Sequence, residues 1–344
     1  MIKHDIMSMT VEEIEDLLED IGEQKFRAKQ IFDWIHSKGV LDYSKMTNLS
    51  KDLRQKLEKT ASLTKPKILE KYRSEADNTT KYLIELGDSH IIESVLMSHK
   101  YGNTVCISSQ IGCRMGCTFC ASTIDGLVRN LTPGEMLAQI YLIEEDSKER
   151  VSGVVVMGSG EPLEDLDATL RFIELINDPR GLNIGQRHIT VSTCGLVPNI
   201  YKLADEKLQI TLAISLHASN DTTRKQTMPI ARKYSIAEII DSCKYYIEMT
   251  NRRITFEYAL IEGVNDSKED AYELSKLLEG LLCHVNLIPV NEIKERDYKH
   301  SKQKSINEFA KVLKGKGIET TVRRTLGSDI NAACGQLRRS FIQK

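Results

Sequence analysis

The segment Cys113-Arg-Met-Gly-Cys117-Thr-Phe-Cys120 decides which fold this sequence indicates. Three of the eight cysteines fall within these few positions, directly behind a β-rich run at 103–108. Thiolates bind iron and zinc well, and three of them in one short loop can hold three corners of an iron–sulfur cube. The fourth iron would stay open to another molecule. We therefore expect a metal centre with Cys113, Cys117 and Cys120 as its ligands.

Two other interpretations of the three cysteines remain open. Zinc usually takes four protein ligands, commonly as two Cys-x-x-Cys pairs, and here only Cys106 could serve as a fourth. The cysteines could also be inert packing residues. A disulfide framework would be unusual in a long chain without a secretory signal, whereas metal or redox chemistry suits a reducing compartment.

The overall composition is that of an ordinary globular protein. The 344 residues are 41% hydrophobic and 28% charged, with a formal net charge of −2. The net charge says nothing about partners, since a basic face can hide within a neutral sum. No apolar run is long enough to cross a bilayer. We expect a cytoplasmic protein, without a membrane partner, whose length suggests about two domains.

We expect three parts along the chain. Residues 1–62 form a helical accessory module, in which Thr10 and Glu13 make a capping box ahead of a helical apolar pattern. Residues 63–102 have β character, with a hairpin turn at 87–89, and would be an adaptor packed in front of the main domain. Residues 103–344 are the core, with a C-terminal extension.

The core alternates strand and helix patterns, which indicates an α/β fold. Strands are predicted at 103–108, 153–157, 188–193, 209–216, 253–261 and 284–289, with a late one at 319–324. Six β-then-α units predict a parallel sheet with right-handed crossovers. They are too few for a closed eight-stranded barrel, so we expect an open, partial (βα)6 barrel. Such folds carry their chemistry at the carboxyl ends of the strands.

Mostly polar or small residues lie at or just after the ends of these predicted strands. A tight turn, a loop cap or a satisfied core histidine would explain any one of them, but together they favour a shared pocket. The residues are Gly160, Glu161, Ser192, Ser215, Leu216, His217 and Asn291.

Longer motifs connect the chain to a known family. The C-x3-C-x-F-C spacing resembles the signature of the radical S-adenosylmethionine (radical SAM) superfamily, and Gly160-Glu161-Pro162 looks like that superfamily's cofactor-binding element. Residues 327–337 (GSDINAACGQL) resemble the RlmN/Cfr family of rRNA adenine methyltransferases. The resemblance extends to CISSQ at 106–110, MGSGEP at 157–162, SLH at 215–217, MPI at 228–230 and VNLIP at 285–289.

The resemblance implies cofactors and ligands. It implies one 4Fe–4S cluster on the three cysteines, a radical-SAM barrel, and two molecules of S-adenosylmethionine consumed per turnover. The seven strand-end residues would bind that cofactor. An electron donor of the flavodoxin or ferredoxin type would supply the cluster, and we expect the protein to be a monomer.

The resemblance also implies a reaction. C2 of adenine has no nucleophilic lone pair, so transfer of a methyl cation is unreasonable, whereas a carbon radical can add there. In the family, the cysteine matching Cys334 carries a methyl group that becomes a methylene radical and attacks the adenine. The residue matching Cys106 resolves the protein–RNA crosslink by forming a disulfide with Cys334. The proposed proton acceptor falls on Glu93.

The expected substrate is an adenosine of 23S rRNA (position 2503 type) and adenosine 37 of some tRNAs. Pro162 is typical of the C2-methylating group, although Ser159 and Asp165 depart from it; the alternative is C8 methylation, which confers antibiotic resistance. A radical enzyme acting on a small molecule or a protein, and a non-catalytic metal-containing RNA-binding protein, are the other classes. Basic candidates for RNA contact, which could equally be solvated, are Lys51, Arg54, Lys56, Lys59, Arg323, Arg324, Arg338, Arg339 and the stretch 294–304.

Overall fold

The computed structural model describes residues 3–100, 102–293 and 295–337. Lys294, Arg338 and Arg339, three of the candidates for RNA contact, lie outside these residues. Among the helices described, none is both long and apolar enough to cross a membrane.

The N-terminal part is helical, as predicted. Its helices are α1 (Val11–Asp20), α2 (Arg27–Phe32, continued by a π-helical turn at Asp33–Ser37) and α3 (Lys51–Thr60). The Thr10–Glu13 capping box is present, and α1 buries an apolar face. A short parallel pair, β1 (His4–Asp5) with β2 (Ala61–Ser62), was not predicted, because two residues are too few to show a period.

Hydrogen bonds as well as packing join the N-terminal part to the core. The Nδ1 atom of His36 lies 2.8 Å from the Tyr141 hydroxyl, and both side chains are buried. The backbone N–H of Gly134 donates to Ser8 Oγ over 2.9 Å. Because these partners lie at the start and middle of one core helix, the module is held along that helix.

The remaining strands form one large sheet and one small hairpin. In chain order they are β3 (Lys67–Arg73), β4 (Thr79–Glu85), β5 (Ile91–His99), β6 (Gly102–Ile107), β7 (Gln110–Gly112), β8 (Leu127–Asn130), β9 (Val151–Val156), β10 (Ile189–Thr193), β11 (Thr211–Ser215), β12 (Ile254–Leu260), β13 (Cys283–Pro289) and β14 (Glu319–Val322). The large sheet has the order β14-β13-β12-β11-β10-β9-β6-β5-β4-β3.

The parallel part of this sheet confirms the predicted open barrel. Strands β6, β9, β10, β11, β12, β13 and β14 pair in parallel along the sheet. The connecting helices are α4 (Pro133–Ser147), α5 (Leu166–Asn177), α6 (Val197–Asp205), α7 (Asp221–Thr227), α8 (Ile236–Thr250), α9 (Lys268–Leu277) and α10 (Gln303–Gly315). All seven residues of β12 are buried, as expected for a strand covered on both faces.

The segment 63–102 differs from the expected adaptor. Strands β3, β4 and β5 pair antiparallel with one another, and β5 pairs antiparallel with β6. They therefore extend the barrel sheet itself rather than pack in front of it. Only residues 100 and 101 separate β5 from β6 in the sequence, and so short a connection favours antiparallel pairing of the two strands.

The inward face of this extension faces the C-terminal loop. Lys81 pairs with Val95, and Val95 pairs with Cys106, so these three side chains lie side by side across β4, β5 and β6. Val95 and Cys106 pack in one buried cluster with Ala332 and Leu337. The loop that carries Cys334 thus lies against the antiparallel end of the sheet.

Candidate active site

A cavity opens at the carboxyl ends of the parallel strands. About 990 Å³ of it is free of protein atoms, part of this open to solvent. Most of the residues predicted from sequence line the cavity, namely Cys113, Cys117, Cys120, Gly160, Glu161, Ser192, Ser215, His217, Asn291 and Cys334.

The three-cysteine loop lies between β7 and β8, which pair as a hairpin. Gly112 closes this hairpin with a φ of +74°, and an added Cβ would come within 1.9 Å of the Gly126 carbonyl oxygen. Two backbone hydrogen bonds tie the loop to its surroundings: the N–H of Thr118 donates to Thr227 O (2.9 Å), and the N–H of Ala121 to Gly335 O (2.8 Å). The second bond joins the cysteine loop to the neighbour of Cys334.

Burial raises the pKa of all three thiols, to about 12 for Cys113 and above its usual range for Cys117 and Cys120. A bound metal offsets this by stabilising the thiolate. Three sulfur donors on one wall of a cavity with free space beside them fit an iron–sulfur cluster with an open corner. In the described part of the chain, no three His, Cys, Asp or Glu side chains converge tightly enough to hold a single metal ion.

Glu161 joins the ends of two strands. Its Oε1 accepts the N–H of Leu163 (3.0 Å), and its Oε2 accepts the N–H of Cys194 behind β10 (2.7 Å). Burial raises the pKa of this carboxyl, and these amide bonds oppose the rise. Gly160 before it has a φ of +116°, and an added Cβ would lie 2.6 Å from Ser109 Oγ. Only glycine therefore fits where the turn after β9 approaches the connection between β6 and β7.

The next two strand ends meet on the same side of the cavity. The hydroxyls of Ser192 and Ser215 lie 3.4 Å apart. His217 has a φ of +55°, its Nδ1 accepts the N–H of Ala259 (2.8 Å), and its ring meets Phe119 edge-on at 4.9 Å. Burial lowers the His217 pKa to about 3, so the ring is neutral with its hydrogen on Nε2. Leu216 is fully buried beside it.

Cys334 lies at the junction of the cavity and the antiparallel strands. Its carbonyl accepts the side-chain amide of Asn291 (3.0 Å), which fixes the loop at the end of β13. Burial raises the pKa of the Cys106 thiol to about 12, the nearby Cys334 adds to the rise, and Arg323 opposes it. All eight cysteines are free thiols. Cys334 and Arg323 both line the cavity, and Cys106 packs against Ala332 and Leu337, which flank Cys334 in the chain.

Glu93 lies on the same inward face as Cys106. It is 4% exposed, and the Lys81 ammonium lies 3.5 Å from its Oε1. Lys81 also donates to the carbonyl of Asn331 (3.2 Å), three residues before Cys334. Glu93, Lys81 and the loop that contains Cys334 are thus one connected group.

Sequence reasoning missed several charged residues here. Arg323 was named only as a candidate for RNA contact, yet it lines the cavity and lies 3.9 Å from Glu257. Lys81 and Glu257 were not singled out. The available signal was a charged residue within a predicted buried strand, since such residues are almost always paired. Cys194, which no sequence motif singled out, also lies in the cavity wall.

The comparisons with known proteins agree with this geometry. Residues 4–63 match the ribosomal RNA large subunit methyltransferase N-terminal domain, and residues 107–275 match the radical SAM superfamily. Two curated relatives carry the name "Probable dual-specificity RNA methyltransferase RlmN". The one from Alkaliphilus oremlandii is 60% identical over 100% of both chains, and the one from Clostridium novyi is 57% identical over 98% of both.

A solved structure has the same fold over nearly the whole chain. The crystal structure of a radical SAM methyltransferase from Sphaerobacter thermophilus superposes with a TM-score of 0.94, at 43% identity, covering 98% of this chain and 100% of that one. Radical SAM proteins use S-adenosylmethionine with an iron–sulfur cluster, and the three-thiol wall of the cavity fits such a group. The chain belongs to the RlmN family of radical SAM RNA methyltransferases.

Proposed function

We propose that this protein methylates C2 of an adenosine in 23S rRNA (position 2503 type) and of adenosine 37 in some tRNAs, with Cys334 as methyl carrier. One observation carries the proposal: a single cavity is lined by the three-thiol loop, the Gly160-Glu161 turn and Cys334. Cys106 lies behind the carrier. The relatives' name as dual-specificity RNA methyltransferases supports two RNA substrates.

Cys113, Cys117 and Cys120 would hold one 4Fe–4S cluster, and the strand-end residues would hold S-adenosylmethionine, two molecules per turnover. When bound, these groups supply an organic radical that can activate the methyl group of a carrier. Glu161 and neutral His217 fix the shape of the wall, because their hydrogen bonds join neighbouring strand ends. We further propose a monomer in the cytoplasm, reduced by a flavodoxin- or ferredoxin-like donor.

The chain's own residues would complete the reaction in two steps. Radical addition leaves one extra electron on the ring, which would pass to a one-electron acceptor, the oxidised iron–sulfur centre, and Glu93 would take the proton from C2 of the crosslinked adenine. The Cys106 thiolate would then attack the Cys334 sulfur, so that an S–S bond forms as the S–CH2 bond to the base breaks. The released carbon takes up a proton and becomes the methyl group. The shared inward face of β5 and β6 supports this assignment, since it puts base and nucleophile beside the carrier loop.

Two cysteine variants test the carrier. We expect Cys106→Ala to accumulate a covalent RNA–protein adduct, visible as a shifted band on a denaturing gel, because the crosslink cannot be resolved. Cys334→Ala should form neither adduct nor methylated RNA. Cys283→Ala is the matched control, since Cys283 does not line the cavity, and it should behave as the wild type. Methylated RNA from Cys334→Ala would refute the carrier assignment.

The position of methylation needs a separate measurement. Pro162 is the feature that favours C2 over C8. Mass spectrometry of nucleosides from RNA treated with the reduced protein separates 2-methyladenosine from 8-methyladenosine. We expect the C2 product from both rRNA and tRNA, and a C8 product would replace the proposal by its alternative.

A further inference from the structure

Arg224, on α7, is a fully buried charged residue that the proposed reaction does not use. Its Nε donates to the carbonyl of Leu216 (3.1 Å), and its Nη2 donates to the carbonyls of Cys194 (2.6 Å) and Ser215 (3.3 Å). These bonds hold the guanidinium beneath the carboxyl ends of β10 and β11. The side chain is therefore held rigidly behind the wall of the cavity.

The positive charge of the Arg224 guanidinium is only partly offset by its neighbours. Its Nη1 is buried and has no hydrogen-bond partner among the described residues. No carboxylate oxygen of the described chain lies within 4.0 Å of it. Asp221, one helical turn earlier, instead accepts the N–H of Ile236 (2.9 Å). Burying a cation costs several kcal/mol unless a negative charge offsets it, and carbonyl dipoles do so only in part.

Helix α7 also contacts the cysteine loop. Thr227, at the end of α7, accepts the backbone N–H of Thr118, which lies next to Cys117. Cys117 and Cys194 are buried together with Met228 in one small cluster, and the N–H of Met228 bonds to the carbonyl of Arg224. Helix α7 thus brings its cation to the back of the loop.

We propose that Arg224 is the buried counter-charge of the iron–sulfur cluster and raises the potential at which the cluster accepts an electron. The inference rests on the proposed assignment of Cys113, Cys117 and Cys120 as ligands. Three thiolates give the ligated cluster a net negative charge, which grows when an electron is added. A fixed cation in a medium of low dielectric stabilises the more negative form. Arg224 touches no reacting atom and acts through the cluster.

The test is a potentiometric titration of the reconstituted, full-length protein without S-adenosylmethionine, followed by electron paramagnetic resonance. Arg224→Gln keeps a hydrogen-bond donor and removes the charge; Arg224→Lys keeps the charge. We expect Arg224→Gln to lower the ratio of reduced to oxidised cluster at least tenfold at a fixed potential, which is a shift of 59 mV or more to lower potential. Arg224→Lys should stay within about threefold of the wild type, since its charge remains.

Each outcome separates this inference from the proposed function. A wild-type protein that takes up no iron contradicts the function, and the inference fails with it. If the wild type takes up its cluster and Arg224→Gln has the same potential as the wild type, the inference alone is overturned. This also holds if Arg224→Gln binds S-adenosylmethionine more weakly, because the guanidinium would then act on the cofactor and not on the cluster. If Arg224→Gln retains no iron, Arg224→Lys decides: retained iron at the wild-type potential supports the counter-charge, and loss in both variants overturns it.

Discussion

Replacing Lys81 by methionine removes the cation from the buried ion pair with Glu93. The side chains of Lys81 and Glu93 are 9% and 3% exposed, and their charged atoms lie 3.5 Å apart. Methionine keeps the length and the apolar stem of lysine, so it tests the charge and the hydrogen bond to Asn331 rather than the packing. We expect a less stable protein and slower resolution of the RNA adduct.

The size of the effect follows from burial. Removing one partner of a buried pair typically costs about 3–5 kcal/mol, because the other charge stays behind in a medium of low dielectric. Unfolding entropy near 60 °C is about 2.1 cal/mol/K per residue, or about 0.7 kcal/mol/K for 344 residues. The expected decrease in Tm is therefore about 4–7 °C.

Thermal unfolding of the metal-free protein, followed by circular dichroism, measures this decrease. Lys71→Met is the matched control: Lys71 lies on the neighbouring strand and pairs with Asp146 at 2.8 Å, but its side chain is 56% exposed. Such a surface pair contributes about 0–1 kcal/mol, so its loss should lower Tm by less than about 2 °C. The double variant Lys81→Met/Glu93→Gln should recover most of the loss. If Lys81→Met unfolds at the same temperature as Lys71→Met, or the double variant recovers nothing, the buried pair does not stabilise the protein as argued.

Three further predictions concern the cavity and its surroundings. Gly160→Ala should abolish binding of S-adenosylmethionine in equilibrium dialysis, since its Cβ would lie 2.6 Å from Ser109 Oγ, whereas Gly185→Ala, with its nearest neighbour at 3.7 Å, should bind normally; equal binding by both would contradict the close approach. Burial lowers the pKa of His36 and His217 to about 3, below the unfolded value of about 6.5, so the unfolded chain binds more protons between these values. The free energy of unfolding should therefore fall as pH falls from about 6.5 towards 3, by up to about 1.4 kcal/mol per pH unit for each of these histidines. In guanidinium unfolding, His36→Gln should remove the contribution of His36; an unchanged slope would refute the burial argument. Arg129→Lys should lower the free energy of unfolding by about 1–2 kcal/mol, because an ammonium cannot keep the paired hydrogen bonds to both carboxylate oxygens of Glu135 (2.7 and 2.8 Å). Urea unfolding measures this decrease, and a variant as stable as the wild type would refute it.

The parts of the site that the sequence predicted are those set by local spacing. Cys113, Cys117 and Cys120 are close in the chain, and the strand-end residues follow from the rule that parallel strands present their carboxyl ends at one edge. All three cysteines and all of the strand-end residues except Leu216 line the cavity. The alternation of strands and helices likewise predicted the open barrel, with errors of one or two residues at most strand ends.

The parts that escaped prediction depend on pairing between distant elements. Lys81 meets Glu93 diagonally across β4 and β5, because Leu83 is the residue directly opposite Glu93. That register follows from the turn at 86–90. Counting residues outward from this turn on both strands could therefore have identified the pair. Arg224 had no such signal: its partners are main-chain carbonyls of two other strands, which leave no mark in the sequence.

The antiparallel extension shows the same limit. The sequence predicted strands in 63–102 but not their pairing with β6. The sequence pattern of one strand does not show which other strand it pairs with. This attachment matters for function, since it brings the face that carries Glu93 next to Cys106 and the Cys334 loop.

The central claim is that Cys113, Cys117 and Cys120 hold an iron–sulfur cluster whose open corner binds and splits S-adenosylmethionine. The direct measurement is 5′-deoxyadenosine, quantified by mass spectrometry after anaerobic reconstitution and reduction, together with iron per chain. We expect about four irons per chain and steady formation of 5′-deoxyadenosine, with both lost in the triple variant Cys113→Ala/Cys117→Ala/Cys120→Ala. Iron-loaded protein that leaves S-adenosylmethionine intact under reduction, or a triple variant that still cleaves it, would contradict the claim.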